Sequence, residues 1–158
     1  MVDVSHISKA AMLDVVRLSR SPVVASHSSI AGLYEHARNM DDEQLLALRD
    51  NGGVIQTVAF GAYLTGDQSS PPDVNDLVDH IDHAVNLIGV DFVGISSDFD
   101  GGGGIEGWQD ASETFNVTLE LVRRGYSEED IIQLWGGNLL RVWRDNERVA
   151  RELQPSPD

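Results

Sequence analysis

The stretch that most constrains the fold is residues 90–100, which run Val-Asp-Phe-Val-Gly-Ile-Ser-Ser-Asp-Phe-Asp into Gly101, Gly102, Gly103 and Gly104. An apolar run of strand length that breaks into carboxylates and glycines reads as a buried parallel strand whose C-terminal end opens into a loop. In α/β proteins that end is where chemistry sits. Other readings of the same residues are weaker. Gly102, Gly104 and Gly107 match the spacing G-x-G-x-x-G, but the first helix start after them, at residues 110–112, comes too late to receive a pyrophosphate. A calcium loop counted from Asp98 needs acids where Gly102 and Gln109 stand. Asp100 can be read as a turn residue that caps its own loop.

Upstream, short apolar runs alternate with helical patterns. Val2 and Val4 read as the end of a truncated first strand, and Ser8 caps a helix through Met12 and Leu18. Residues 22–25 form the next strand, which ends in Ser26-His27-Ser28-Ser29, and a helix over 41–49 follows with Asp41 or Asp42 at its cap. Residues 54–60 are a third strand; the polar segment 65–73 leads into a helix over 74–88. Past the central strand, 111–124 and 128–144 read as two more helices. Four parallel strands, the first truncated, with outer helices make about half of a (β/α)₈ barrel, which typically takes ~250 residues. The partial barrel occupies 1–153, and 154–158 is a frayed tail.

Composition narrows the function. A chain of 158 residues with 41% hydrophobic content supports one core. Its formal net charge of −15, with ten arginines and Lys9 as the single lysine, argues against nucleic acid as a partner. The absence of cysteine removes disulfides, thiolate zinc sites and thiol nucleophiles, so any metal must use histidine and carboxylate. No signal or membrane-spanning segment is legible, and the compartment stays open between cytoplasm and periplasm.

In chain order the strand ends carry His6, His27, Gln56 or the 60–63 loop, and Asp98. Two histidines and a carboxylate, each at a different strand end, would converge on one face of a barrel, and these are the ligand types a zinc ion takes when thiolates are absent.

Asp3-Val4-Ser5-His6, Ser26-His27-Ser28-Ser29, Ala37-Arg38-Asn39, the 97–101 turn and Asn138-Leu139-Leu140-Arg141-Val142 resemble, in order and rough spacing, the C-terminal half of the membrane (renal) dipeptidase family of zinc peptidases. The resemblance implies a (β/α)₈ barrel with two zinc ions that hydrolyses dipeptides. It implies that His6 and His27 are ligands of one zinc, that Arg38 binds the substrate carboxylate, and that Asp98 is the acid near the substrate amine and the metal-bound water. The family's H-x-D pair, its bridging glutamate and a further histidine belong to its first half, which this chain is expected to lack. His80 and His83 fall on a helix and read as flanking residues, and His36 as a loop residue. The expectation is therefore a dipeptidase-like half barrel that is inactive alone and joins a second copy or the missing N-terminal half. The alternative is a non-catalytic, dimerising remnant of the fold.

Overall fold

The computed structural model describes residues 1–66 and 69–154. Residues 155–158 of the expected tail, and 67–68 of the polar segment, lie outside the described residues. Helix α1 (Lys9–Leu18) starts at Ser8, whose side chain accepts from the Ala11 amide. Strand β1 (Val24–Ser28) leads to α2 (Asp42–Asp50), which Asp41 opens with a capping box to Gln44. Strand β2 (Val54–Val58) is followed by the single turn α3 (Gly61–Leu64) and by α4 (Val74–Ile88), where Asp73 and Asp76 form a second capping box. Strand β3 (Val93–Ser96) ends below the glycine turn. Then come α5 (Thr114–Arg123), α6 (Glu128–Ile132) and α7 (Asn138–Leu153). Among the described residues no helix is long and apolar enough to cross a membrane.

The sheet is parallel in the order β1-β2-β3. Side chains alternate across it. Ile55, Val93 and Ile95 join the main core with Leu45 and Leu48 of α2 and Leu77 and Ile81 of α4. Val24 and Val54 form a separate small cluster with Val142 of α7, against which Leu139 packs. The apolar stripe Leu77, Ile81, Ala84 and Ile88, at helical spacing, buries one face of α4.

Three expectations are corrected. The described sheet has three strands rather than four: the first is reduced to the parallel bridge Asp3↔Val24, because the chain turns away at Ser5, whose amide is taken by the Asp3 carboxylate. The central strand starts later than expected, since residues 90–92 form a 3₁₀ turn after Gly89, whose φ of 91° only glycine adopts readily. The helix expected over 128–144 is broken by a π-turn at Gln133–Gly137 and then runs on to Leu153.

Helix α7 locks the lower end of the sheet, where the strands begin. Asn138 donates to the carbonyls of Val90 and Val93, and Arg141 donates to those of Gly52, Gly53 and Asp91. Asn146 donates to the Pro22 carbonyl and accepts from the Ser21 hydroxyl. The strand C-termini at the opposite end are left for the candidate site.

Candidate functional site

The pairing of β1 with β2 slips between Ala25 and Ser28: Ala25 faces Ile55, but Ser28 faces Thr57. The extra residue is a bulge at Ser26 and His27, and bulges re-aim side chains. His27 thus lies within β1 rather than beyond it, and its ring turns toward His6. The two Nε2 atoms are 2.6 Å apart, with ring centroids at 4.7 Å. His6 reaches this position through a backbone φ of 69°. Two described non-glycine residues have positive φ, and they are His6 and Asp98 (φ 52°). Such conformations persist only where the surroundings impose them, and they concentrate at functional sites.

The groups behind the histidines are ordered. Asp3 accepts from the Ser5 amide at 3.0 Å, from the Ser26 amide at 3.1 Å and from the Ser26 hydroxyl at 2.6 Å. Burial works to raise its pKa, but these hydrogen bonds outweigh it and hold the carboxyl below its usual range. The Ser26 hydroxyl is also 2.6 Å from His27 Nδ1, and the Ser5 hydroxyl accepts from the His27 amide at 3.0 Å. His6 has a lowered pKa: desolvation contributes most, followed by the positive charges of Arg38 and His27, while Asp3 and Asp98 act in the opposite sense. Arg38 and Asp98 are thus within electrostatic reach of His6, which brings the four expected site residues to one end of the sheet.

Arg38 is half-buried; its Nη2 donates to the His27 carbonyl and its Nη1 to the Tyr63 hydroxyl. The guanidinium lies over the Tyr63 ring at 5.2 Å, and that ring stacks on Phe60. Of the two alternatives at the third strand, the 60–63 segment reaches the site and Gln56 does not. Gln56 sits inside β2, buried, with its Oε1 unpartnered and lying across Gly94, where a Cβ would meet it at 1.6 Å.

Asp98 sits above β3 in a turn closed by the amides of Gly101 and Gly103, which both donate to its carbonyl. A Cβ at Gly101 would come within 2.4 Å of Asp98 Oδ1, and one at Gly103 within 2.0 Å of the Ser97 carbonyl oxygen, so the glycines are required by close approach. Asp100 is exposed within the same turn.

The other three histidines have partners of their own. His80 is buried; its Nδ1 accepts from the Ile30 amide at 3.0 Å and its Nε2 is 2.9 Å from the Leu64 carbonyl. His83 faces Asp42 at 3.6 Å, and His36 accepts from the Arg38 amide. Sequence reasoning missed Ser26, Tyr63 and the role of Asp3. Ser26 and Tyr63 adjoin or fall within segments already singled out, but only the bulge and the fold of α3 reveal their direction. Among the described residues no cluster of three or more histidine, cysteine, aspartate or glutamate side chains could hold a metal ion.

The C-terminal end of a parallel α/β sheet thus carries paired imidazoles, a carboxylate and a guanidinium. The chain belongs to the membrane dipeptidase family: a sequence profile described as "Membrane dipeptidase (Peptidase family M19)" matches residues 1–157. It is 40% identical over 154 residues to the dipeptidase aclJ of Aspergillus oryzae, covering 97% of this chain and 36% of that protein. It is similar to the "probable dipeptidase PvdM" of Pseudomonas aeruginosa, with a TM-score of 0.89 and 37% identity over 94% of this chain and 50% of that one. A metallopeptidase of Rhodobacter sphaeroides, solved with a phosphinate mimic of the dipeptide L-Ala-D-Ala, superposes with a TM-score of 0.86 at 29% identity, covering 92% of this chain and 42% of that one. The chain thus spans about a third to a half of the length of these relatives.

Proposed function

We propose that the chain forms the C-terminal half of a (β/α)₈ barrel and carries one half of the active site of a zinc-dependent dipeptidase. The observation that carries this reading is the convergence of His6 and His27, whose Nε2 atoms meet at 2.6 Å above the strand ends. The donor set suits zinc: imidazole nitrogen is a preferred ligand where thiolates are absent, and the other nitrogen of His27 already has a partner. Catalytic zinc sites normally keep three protein ligands, so the remaining ligands come from outside the described residues.

In this reading His6 and His27 hold the ion. Zinc, when bound, lowers the pKa of a coordinated water to about 7 and polarises the scissile carbonyl. Asp98, on its strained turn, takes the proton released by the attacking water and returns one to the leaving amine. Arg38 binds the substrate carboxylate with the guanidinium N–H groups not used on His27 and Tyr63. A second reading is a non-catalytic module that dimerises, and the exposed Leu140 and Trp143 on α7 are what favours it.

Calorimetric titration with zinc, beside a dipeptide assay, tests the proposal. Binding no tighter than micromolar is expected, with His6→Ala and His27→Ala each abolishing it and hydrolysis at background for the chain alone. A chimera that places the first part of the Aspergillus oryzae relative ahead of Met1 should hydrolyse dipeptides, and His6→Ala should silence it. Zinc binding unaffected by either substitution would remove the metal site. An inactive but folded, zinc-loaded chimera would favour the dimerising module.

A further inference from the structure

We infer that Asp3 and Ser26 form a hydrogen-bond relay that fixes His27 with its proton on Nδ1 and a bare Nε2, the form in which it can ligate a metal ion. This rests on the proposed zinc site for its purpose, though not for its geometry.

The direction of the relay follows from counting donors and acceptors. An ionised carboxylate only accepts. Asp3 takes both main-chain amides, Ser5 and Ser26, on Oδ1, and the Ser26 hydroxyl on Oδ2. The Ser26 proton is therefore committed to Asp3. A hydroxyl has one proton, so toward His27 Nδ1, 2.6 Å away, the Ser26 oxygen can only accept. Nδ1 must then carry hydrogen, and Nε2 of the neutral ring is left with its lone pair facing His6. The bulge is what makes this possible, because it sets Ser26 and His27 on the same side of the strand edge nearest Asp3. Metal-binding histidines commonly have the second nitrogen anchored on a carboxylate or carbonyl. Here a serine hydroxyl is interposed, and Asp3 and Ser26 are positioning residues that act through His27.

Asp3→Asn tests the relay with little change of shape. The Asn oxygen can still accept from the two amides, but its NH₂ then faces the Ser26 oxygen and donates to it. The Ser26 hydroxyl turns to donate to His27 Nδ1, and the imidazole proton moves to Nε2. Long-range proton–nitrogen NMR of the full chain labelled at histidine, at a pH of about 8 where imidazoles are neutral, reads the tautomer without metal. The native chain should show His27 protonated on Nδ1 and Asp3→Asn should reverse it. Ser26→Ala should give a mixture, and Ser26→Thr, which keeps the hydroxyl, should restore the native pattern. In calorimetry with zinc chloride, Asp3→Asn and Ser26→Ala should weaken binding about 10–100-fold, and Ser26→Thr should not. A native His27 protonated on Nε2, or an Asp3→Asn spectrum like the native one, overturns the relay. The expected tautomers in a chain that binds no zinc at all would uphold the relay and sink the zinc reading instead.

Discussion

Arg38 holds the main-chain oxygen of His27 at 3.0 Å with one arm of its guanidinium and the hydroxyl of Tyr63 at 3.1 Å with the other. A proposed substrate-binding cation is thereby tied to the backbone of a proposed metal ligand. Lysine cannot reproduce a planar fork that serves several partners. In the chimera, Arg38→Lys should raise KM for dipeptides about tenfold, with kcat less affected. If zinc affinity falls instead and KM stays the same, Arg38 serves to anchor His27 rather than to bind substrate.

His80 should make stability fall in mild acid. Its ring spans the Ile30 amide and the Leu64 carbonyl, and so ties the segment after β1 to the short helix that carries Tyr63. Desolvation is the main cause of its lowered pKa; the bond to Leu64 and nearby aspartates offset it only in part. Protonation would set an Nδ1–H against the Ile30 N–H. The unfolded chain therefore binds more protons once pH falls below about 6.5, and folding stability drops through that window. His80→Phe, which loses both hydrogen bonds, should cost about 3 kcal/mol at neutral pH and flatten this dependence. Urea melts between pH 5 and 8 are the measurement, and a native slope retained in the variant would exclude His80 as its source.

Gly103 protects the Asp98 turn. A side chain there would run into the Ser97 carbonyl at 2.0 Å, which is backbone and cannot swing aside. Gly103→Ala should destabilise the chain by about 1–3 kcal/mol. Because the clash falls next to Asp98, activity of the chimera should drop further than stability alone accounts for. An unchanged melting temperature would show that the turn relaxes freely.

Self-association is expected despite the negative charge. The outer edge of β1 is covered by residues 2–5, but Leu140 and Trp143 on α7 are 51% and 55% exposed. Trp143 borders a groove of about 340 Å³ shared with Met1 and Ala150. Exposed apolar patches of this kind draw a second chain. Light scattering should find a dimer or larger assembly at micromolar concentration, and Trp143→Glu should shift it toward monomer. A stable, compact native monomer would contradict this.

Much of the architecture was legible because local chemistry and tertiary need agree. Ser8, Asp41 and Asp73 each cap the helix expected after them, and the stripe on α4 is buried as its spacing requires. The errors fall where tertiary contacts override pattern. Residues 90–92 are apolar enough for a strand, yet they turn because Gly89 redirects the chain and Asn138 takes the Val90 carbonyl. His6, His27 and Asp98 could be singled out by residue type and strand-end position, and Arg38 through the family resemblance. Ser26 and Asp3 could not be assigned their parts, since a one-residue slip in strand pairing leaves no trace in composition or periodicity. His80 reads as a flanking polar residue on a helix, and only the loops folded over it explain its burial.

The lock made by α7 also sets a timetable. Arg141 closes on Gly52 across 89 positions, and Asn146 reaches Ser21 across 125. Until those residues exist, the start of the sheet has open carbonyls and Val24 and Val54 have nothing to pack against on that side. At synthesis rates of 5–20 residues per second, a span of 89 residues means that β2 waits roughly 4–18 s for its latch. Contacts of such long range also slow refolding of the finished chain. The nascent protein therefore passes through an interval in which its upper end, with the histidines, is spelled out while its lower end is still unsealed, and that interval is when chaperone capture or misassembly competes with folding.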